Sequence, residues 1–514
     1  MGYPLAGTHA LRLDNLRPYF TFVNALLLYP EFPDTFWSFK HALKFIRKRA
    51  SLPPLGLLTV AAMLPPEWSK RLVDANTRKL RPADIAWADI VLISGMIAQR
   101  ESARELIARC RAAGKTIVAG GPLFTLEHAG FPEVDHFVLN EAETTLPDFL
   151  RDLELGRPKR IYESTELPDI RQTPTPLWEL ADMRRYASMS VQFSRGCPFD
   201  CEFCNITSMF GHRPRTKTTG QVIAELDGLV AAGWRGAVFF VDDNFIGNKR
   251  EIRKDLLPAL IEWQKKGPGF PFFTEASINL ADDPQLMRLM VDAGFDQVFV
   301  GIETPDEASL AGCDKRQNRG RDLVADVKRI QRAGLEVQGG FIVGFDQDTP
   351  AIFQRQIEFI QKSGIVTAMV GLLQAIPGTR LYQRLAAQDR LVGQASGNNV
   401  DGATNFIPQM NPEVLQEGYR RLMAHIYSPG PFYQRIRTFL REYAGPKISC
   451  SLDWRRVVAF IHANLRLGVF SRGRFHYWAL LLWTFFRRPS LLPVAVTLSI
   501  YGHHFRATCA ALGK

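Results

Sequence analysis

Short apolar runs alternate with amphipathic stretches along the first 165 residues of the chain. The apolar runs have the length of buried strands, and helical periodicity follows several of them, as in 53–64, 103–113 and 144–153. Strands that alternate with helices predict an α/β fold with a doubly wound parallel sheet, covered by helices on both faces. The predicted strands are Phe22–Tyr29, Arg71–Asp74, Ile90–Ser94, Thr116–Ala119 and Asp135–Leu139.

A second series of strands and helices begins near Ser190. Helical stretches such as 218–232 and 284–293 separate its apolar runs. Six such repeats predict a TIM-type barrel, complete or partial, with its chemistry at the carboxyl ends of the strands. The predicted strands are Ser190–Phe193, Gly236–Val241, Phe272–Ala276, Gln297–Gly301, Val337–Val343 and Ala368–Gln374.

The alternation of strands and helices also predicts the domain boundaries. A sheet domain is expected over 1–165, a polar and proline-bearing linker over 166–185, and the barrel over 186–400. Residues 401–514 lose the alternation of strands and helices, so they are predicted to form a helical, basic region.

The net charge of +11 is concentrated near the C-terminus. Residues 431–514 contain 13 Lys and Arg against 2 Asp and Glu, whereas the rest of the chain has 50 of each. Two apolar runs in this tail, 477–486 and 491–501, are each about half as long as a membrane-spanning helix. Their aromatic residues and flanking arginines suit a membrane interface, and the alternative is a buried helix with solvated arginines. No nucleic-acid-binding motif accompanies the charge, so a nucleic-acid partner is not expected.

The N-terminus lacks a charged segment followed by an apolar run and a small-residue cleavage site. The expected location is therefore cytoplasmic, with the tail offering peripheral attachment to the inner membrane.

Three of the seven cysteines lie within eight residues, at Cys197, Cys201 and Cys204. An odd total and this clustering indicate a metal or cluster site rather than a disulfide framework. Three thiolates on a C-x3-C-x2-C spacing can hold three irons of a 4Fe–4S cluster and leave the fourth iron open. A zinc site with His212 as the fourth ligand is the alternative.

Polar residues and glycines follow several predicted barrel strands. Asp242, Asp243 and Asn244 come directly after the second strand and can accept hydrogen bonds from a cationic ammonium group. Gly340 and Gly344 permit close approach of a flat ring to the backbone. Taken singly, each acid could be a solvated or capping residue and each glycine a simple turn.

The cysteine spacing, the aromatic Phe203 and the order of the downstream segments resemble the radical S-adenosylmethionine (SAM) superfamily. The resemblance implies that the open iron chelates the amino and carboxylate groups of SAM, whose reductive cleavage gives a 5′-deoxyadenosyl radical. It also implies that the ends of the later strands contact SAM. The residues it assigns to SAM are Asp242, Asp243, Asn244, Glu275, Glu303, Gly340, Gly344 and Gln374.

The N-terminal sheet resembles the cobalamin-binding domain that precedes the barrel in one large class of radical SAM enzymes. The resemblance assigns cobalamin to Ser94, Gly120, Gly121 and Glu141. No D-x-H-x-x-G motif is present, so no histidine ligand to the cobalt is expected. For this domain taken alone, a nucleotide-binding or cofactor-free sheet is the alternative.

Within that class the chain is most similar to the hopanoid C-2 methylase group. The blocks that carry this similarity are Phe36–Lys40, Pro53–Leu58, Val241–Asn248 and Gly301–Asp306. The similarity implies methylation of an unactivated carbon, with a hopanoid or another lipid as substrate and flavodoxin or ferredoxin as electron donor. The open alternatives are ring formation or carbon–carbon coupling without methyl transfer, and an iron–sulfur or cobalamin sensor.

Overall fold

The computed structural model describes residues 23–267, 269–398, 400–447 and 454–510, and the side chains of 454–456 are not described. Residues 1–22 of the predicted N-terminal domain, Cys450 and the last four residues lie outside this part of the chain.

The N-terminal sheet is parallel throughout and is buried on both faces. Leu26 and Leu28 of its first strand pack into one core, and the alternating residues Ala25 and Leu27 pack into two others, which explains the continuous apolar run. The strand order is β2-β1-β3-β4-β5-β6. Because the order reverses between β1 and β3, a crevice forms there beyond the carboxyl ends of the strands. The strands are β1 Asn24–Tyr29, β2 Ser69–Asp74, β3 Ile90–Ser94, β4 Thr116–Gly120, β5 His136–Val138 and β6 Ile161–Tyr162.

Helices connect these strands and cover both faces, which confirms the doubly wound prediction. They are Lys40–Leu43, Leu55–Met63, Pro82–Trp87, Arg100–Ala112, Pro122–Glu127 and Ala142–Glu154. The two-residue strand β6 was not predicted, because so short an edge strand leaves no periodic signal in the sequence.

The second sheet is an open, partial barrel. Its strand order is β14-β13-β12-β11-β10-β7, and all five pairings are parallel. All six predicted barrel strands are present, and a short antiparallel pair, β8 with β9, follows the first. The strands are β7 Met189–Val191, β8 Ser194–Arg195, β9 Arg215–Thr216, β10 Val238–Phe240, β11 Phe272–Glu275, β12 Phe295–Glu303, β13 Glu336–Val343 and β14 Ala368–Leu372. The helices are Ile206–Phe210, Thr219–Ala231, Lys249–Glu251, Leu257–Lys266, Pro284–Asp292, Glu307–Gly312, Leu323–Ala333, Ile352–Ser363 and Arg380–Ala387.

The C-terminal region is helical, as predicted, and its first helix covers the free edge of β14. The hydroxyls of Tyr419 and Tyr427 donate to the carbonyls of Val370 (3.1 Å) and Ala368 (2.6 Å). These bonds satisfy backbone groups that an unpaired edge strand leaves open. The helices are Pro412–Tyr427, Pro429–Glu442, Trp454–Ala463, Arg474–Arg487 and Leu492–Cys509. Among the described residues no helix is both long and apolar enough to cross a membrane.

The barrel floor comprises Trp37, Phe39, Phe299 and Tyr501. It therefore combines segments near both ends of the chain with a strand of the barrel. The indole of Trp37 meets the ring of Phe299 edge-on, with centroids 5.3 Å apart. Phe39 contacts Tyr501 of the last helix at 5.0 Å. The Trp37 indole also contacts the sulfur of Met369, the second residue of β14, so this floor lies toward the amino-terminal ends of the strands.

The polar stretch 166–185 forms short 3-10 turns rather than an extended tether. Ile170 and Trp178 within it are buried. The burial of these two residues could not be predicted, because they are isolated among proline and charged residues and form no hydrophobic periodicity.

Candidate active site

The cysteine loop lies between β8 and the helix Ile206–Phe210, at the carboxyl end of β7. Gly196 precedes the first cysteine with a positive φ of 96°, and a Cβ there would lie 2.9 Å from the carbonyl oxygens of Phe210 and Gly211. Only glycine fits this turn. Its amide donates to Asp243 Oδ2 at 3.0 Å, which ties the loop to the next strand end.

The three thiols are close enough to influence one another. Burial raises the pKa of Cys204 to about 12, and the charges of Cys201 and Cys197 act in the same direction. Among the described residues, the three sulfurs do not all lie within 4.8 Å of one another. Thiolates on one tetrahedral zinc ion would be about 3.8 Å apart. The spread suits a cluster whose irons each take one thiolate, and His212 is exposed to solvent.

Contacts from later segments hold the loop in place. The amide of Glu202 donates to the carbonyl of Cys313 at 3.0 Å. The guanidinium of Arg384 donates two hydrogen bonds to the carboxylate of Glu202, at 2.6 and 3.1 Å. Gln317 Nε2 lies 3.7 Å from the sulfur of Cys201. Cys313 is itself buried, in keeping with a structural role.

Lys315 is a site residue that the sequence analysis missed. Its ammonium donates to Glu303 Oε1 at 2.6 Å and lies over the ring of Phe203, within the cysteine loop. Burial lowers the pKa of Lys315, but the charges of Glu303 and Cys201 outweigh burial and hold it above the ordinary value. Glu303 has a positive φ of 62°, which turns its carboxylate back over Gly301 toward this lysine. In the sequence, Lys315 belongs to a polar stretch with the character of a solvated loop.

Two of the predicted SAM-binding polar residues are committed to the backbone or to neighbours. Asp242 is buried and accepts hydrogen bonds from the amides of Phe193 and Ser194 and from the Ser194 hydroxyl. Asn244 exchanges hydrogen bonds with Ser277 at the end of the adjacent strand. Both residues therefore brace the strand ends.

Asp243 and Glu275 leave acceptor capacity at the same rim. Glu275 has no hydrogen-bond or ion-pair partner among the described residues. Burial, together with the nearby charges of Asp243 and Asp242, raises its pKa to about 8. Burial likewise raises the pKa of Asp243 to about 6. Two adjacent carboxylates beside the cysteine loop provide a site for a cationic group.

The remaining predicted barrel residues fall at different positions. Gly340 lies inside the barrel, where a Cβ would meet the ring of Phe299 at 2.6 Å. Gly344 has a positive φ of 103° beyond the end of β13. Gln374 holds the loop that follows β14, because its side chain donates to Ser396 Oγ at 3.0 Å and accepts from the amide of Gly397 at 3.1 Å.

At the rim of the N-terminal sheet, glycines allow the strand ends to pack without side chains. A Cβ on Gly120 would lie 2.5 Å from the carbonyl oxygen of Val138, and one on Gly121 would lie 2.3 Å from Ser94 Oγ. Gly121 also has a positive φ of 85°. The predicted residues Ser94, Gly120 and Gly121 thus meet at one place, beyond β3 and β4.

Glu141 lies at this rim as predicted, but its carboxylate is paired with the barrel. It accepts from Arg195 at 2.6 Å and from Arg215 at 2.6 Å. Arg195 also pairs with Glu143 at 2.8 Å. The basic segment after the cysteine loop is therefore solvated at His212 but joined to the N-terminal sheet at Arg215.

These ion pairs bring the carboxyl-terminal rims of the two sheets to face each other. A second contact supports the same arrangement, since Arg100 donates to the carbonyl of Ala395 at 2.7 Å. A Cβ on Gly397, in the same loop, would lie 2.8 Å from the amide nitrogen of Ala98. Chemistry between the two rims therefore has one wall from each domain.

Comparisons with known families match three successive parts of the chain. A B12 binding domain model matches residues 48–150, and a Radical SAM superfamily model matches 191–360. Residues 379–513 match a domain of unknown function (DUF4070).

Curated relatives share this arrangement over most of their length. An uncharacterised methyltransferase of Synechocystis sp. is 42% identical over 493 residues, covering 94% of this chain and 91% of the relative. The hopanoid C-2 methylase of Rhodopseudomonas palustris is 37% identical over 416 residues, covering 80% of this chain and 78% of the relative.

Solved structures show the same fold. The cobalamin-dependent SAM radical enzyme OxsB with aqua-cobalamin bound has a TM-score of 0.62 at 14% identity, covering 95% of this chain and 81% of that one. The radical SAM methyltransferase TsrM from Kitasatospora setae, with cobalamin and a [4Fe-4S] cluster, has a TM-score of 0.54 at 15% identity, covering 78% and 85%. The chain belongs to the cobalamin-dependent radical SAM methyltransferase family, whose cofactors are a 4Fe–4S cluster, SAM and cobalamin.

Proposed function

We propose that the protein methylates an unactivated carbon of a hopanoid or another polycyclic lipid. The similarity to the hopanoid C-2 methylase, 37% over 80% of this chain, is the observation that carries this substrate class. The cofactors supply a hydrogen-abstracting radical and a transferable methyl group. The protein supplies the positions of the reacting groups and an environment that excludes water.

The interior of the barrel is suited to an apolar substrate. Side chains on alternate positions of its strands point away from the helices and into the barrel. Among them, Phe239 and Phe273 stack with centroids 4.8 Å apart. Phe299 and Met369 both contact Trp37 on the floor, the latter through an indole N–H to sulfur contact of 3.0 Å. Aromatic and thioether groups favour a hydrocarbon ring system over a charged substrate.

We assign the cluster to Cys197, Cys201 and Cys204. Gly196 permits the turn before this loop, and the ion pair of Arg384 with Glu202 holds it in place. We assign the SAM ammonium to Asp243 and Glu275, because these carboxylates lie together at the adjacent strand ends and Glu275 is unpaired among the described residues. A cation placed there would offset the mutual repulsion of the two carboxylates.

We assign cobalamin to the rim of the N-terminal sheet around Ser94, Gly120 and Gly121. Backbone without side chains permits close approach of a large flat group. Arg195 and Arg215 hold that rim against the barrel, so their role is to fix the separation of the two walls rather than to contact the reacting atoms.

Lipid profiling of cells with and without the gene tests the proposal. Loss of one methylated polycyclic lipid on deletion, restored by the wild-type gene and not by Cys201→Ala, is the expected result. An unchanged lipid profile, with a methylated product found instead among water-soluble metabolites, would contradict the substrate class.

An assay of the reconstituted enzyme tests the reaction type separately. With SAM labelled in its methyl group and an external reductant, the label is expected in the product, together with 5′-deoxyadenosine. A product that forms with 5′-deoxyadenosine but without label would indicate ring formation or coupling instead.

A further inference from the structure

The helices Trp454–Ala463 and Arg474–Arg487 expose an unusual amount of apolar surface. Of the 19 large apolar side chains that are exposed in the described part of the chain, 11 lie between residues 457 and 486. The most prominent are Phe470, Phe475 and Phe486, which are 80%, 74% and 76% exposed. We call the exposed apolar side chains of 457–486 the apolar plate. Exposed apolar side chains that are concentrated in one segment mark an interaction surface rather than ordinary surface variation.

The second helix is apolar on two opposite faces. Tyr477, Leu480 and Leu481 point into the protein and are buried. Phe475 and Leu482 lie on the outer face at helical spacing and are exposed. The buried face accounts for folding, so the outer face requires a different partner.

Side-chain contacts join the two helices that carry the apolar plate. The indole of Trp478 donates to the carbonyl of Gly468 at 3.0 Å, and the hydroxyl of Tyr477 donates to Asn464 Oδ1 at 2.9 Å. A Cβ on Gly468 would lie 3.0 Å from the Trp478 ring, so the two segments touch closely. These contacts hold the segment Asn464–Val469, which continues the first helix, against the second.

The charge around the plate is of one sign. Residues 454–510 contain eight arginines and neither Asp nor Glu. Arg472, Arg474 and Arg487 lie at its margins and are exposed. A second copy of the chain docked through the same surface would bring these arginines together across a two-fold axis with no acid in this segment to neutralise them.

We propose that the apolar plate docks the enzyme on an anionic phospholipid membrane, with its phenylalanines in the headgroup and acyl boundary and its arginines on lipid phosphates. An apolar face with aromatic residues and a basic margin matches this environment in both hydrophobicity and charge. The proposal assigns a role to the region 379–513 and does not depend on the substrate being a lipid.

Vesicle flotation with the reconstituted full-length enzyme tests the proposal. Vesicles that contain phosphatidylglycerol are expected to carry the enzyme, whereas pure phosphatidylcholine vesicles bind it more weakly. The variant Phe470→Ser/Phe475→Ser/Phe486→Ser is expected to raise the lipid concentration for half-maximal binding at least tenfold. The matched control Leu155→Ser/Val392→Ser/Ile407→Ser removes apolar side chains that are 56%, 63% and 51% exposed elsewhere, and it should bind as wild type does.

A charge variant separates the two contributions. Arg472→Gln/Arg474→Gln/Arg487→Gln is expected to weaken binding to phosphatidylglycerol vesicles and to reduce its dependence on salt, while leaving binding to phosphatidylcholine unchanged. Formation of 5′-deoxyadenosine in solution should be normal in all variants, which shows that they fold and assemble the cluster.

Three results would overturn the proposal. One is no flotation with any vesicle. Another is flotation that survives the triple phenylalanine substitution. The third is a dimer in analytical ultracentrifugation that this substitution dissolves while wild-type enzyme fails to bind vesicles, which would make the plate a contact between copies. None of these results bears on the identity of the substrate.

Discussion

The two ends of the barrel differ in chemistry and in origin. The carboxyl end of the strands holds thiols, the carboxylates of Asp243 and Glu275, and the ammonium of Lys315. The floor at the opposite end is aromatic, built around Trp37. The charged end comes from segments close to the strands, whereas the floor combines residues near 37 with a helix near 500. The comparison separates the residues that bind cofactors from those that shape the space for a substrate.

Loss of a thiol at the charged end is expected to have the largest effect. Cys201→Ala should abolish the 4Fe–4S absorbance and 5′-deoxyadenosine formation, because the remaining two thiolates hold two irons at most. Cys110→Ala, which removes a buried thiol of the N-terminal domain, is the control and should keep both. Retention of an intact cluster in the Cys201 variant would refute the ligand assignment.

Separating the two rims is expected to be nearly as damaging. Arg195→Met leaves the Glu143 carboxylate, which is only 10% exposed, without its arginine, and breaking such a pair costs about 3 kcal/mol. A fall in the thermal midpoint and weaker retention of cobalamin on gel filtration are expected. Arg184→Met removes an exposed surface ion pair and serves as control, with little expected effect on the thermal midpoint. Equal effects of the two substitutions would argue against the interdomain role.

The carboxylate pair at the charged end is expected to govern SAM affinity. Glu275→Gln removes the carboxylate charge and keeps a neutral acceptor, and the difference between a charged and a neutral hydrogen bond is about 1 kcal/mol, or roughly fivefold in affinity. Equilibrium dialysis of labelled SAM against the reconstituted protein measures the change. Exposed Glu262→Gln provides the matched control. Unchanged SAM affinity in the Glu275 variant would assign the ammonium elsewhere.

Changes at the floor are expected to affect product formation rather than SAM cleavage. Trp37→Phe shortens the side chain and removes the contact to Met369. We therefore expect the substrate to be positioned less precisely. We expect the ratio of 5′-deoxyadenosine to methylated product to rise several-fold, with cluster content unchanged. Trp87→Phe, in the N-terminal domain, should leave the ratio at the wild-type value. A normal ratio in the Trp37 variant would place the substrate away from the floor.

The last expected effect is a pH dependence of stability from acids near the floor, which leaves the reaction itself unchanged. Burial and the charge of Asp296 raise the pKa of Glu336 from 4.5 to about 8. Between these values the folded protein retains a proton that the unfolded chain has released, so stability falls as pH rises from about 5 to 8. Glu336→Gln should flatten the thermal midpoint over this range. An equally steep profile in the variant would exclude Glu336 as the cause.

Much of the fold could be predicted because its signals are local. Ile90–Ser94 and the start of β11 at Phe272 were placed correctly, since buried parallel strands are continuous apolar runs bounded by polar residues. The strands β6, β8 and β9 have two residues each and carry no periodicity. The anchors Ile170 and Trp178 were missed for the same reason.

The sequence by itself determined the cofactors. The cysteine spacing and the glycines at the rims are local requirements of chain geometry, so they are visible without a structure. Only the tertiary structure decided the different roles of neighbouring acids, since Asp242 accepts hydrogen bonds from backbone amides, while Glu275 has no partner in the described part of the chain. It also decided that Lys315 reaches the cysteine loop, that Glu141 pairs with the barrel, and that one apolar face of the helix Arg474–Arg487 is exposed while the last helix is buried. These outcomes depend on contacts between residues far apart in the chain, which no local pattern encodes.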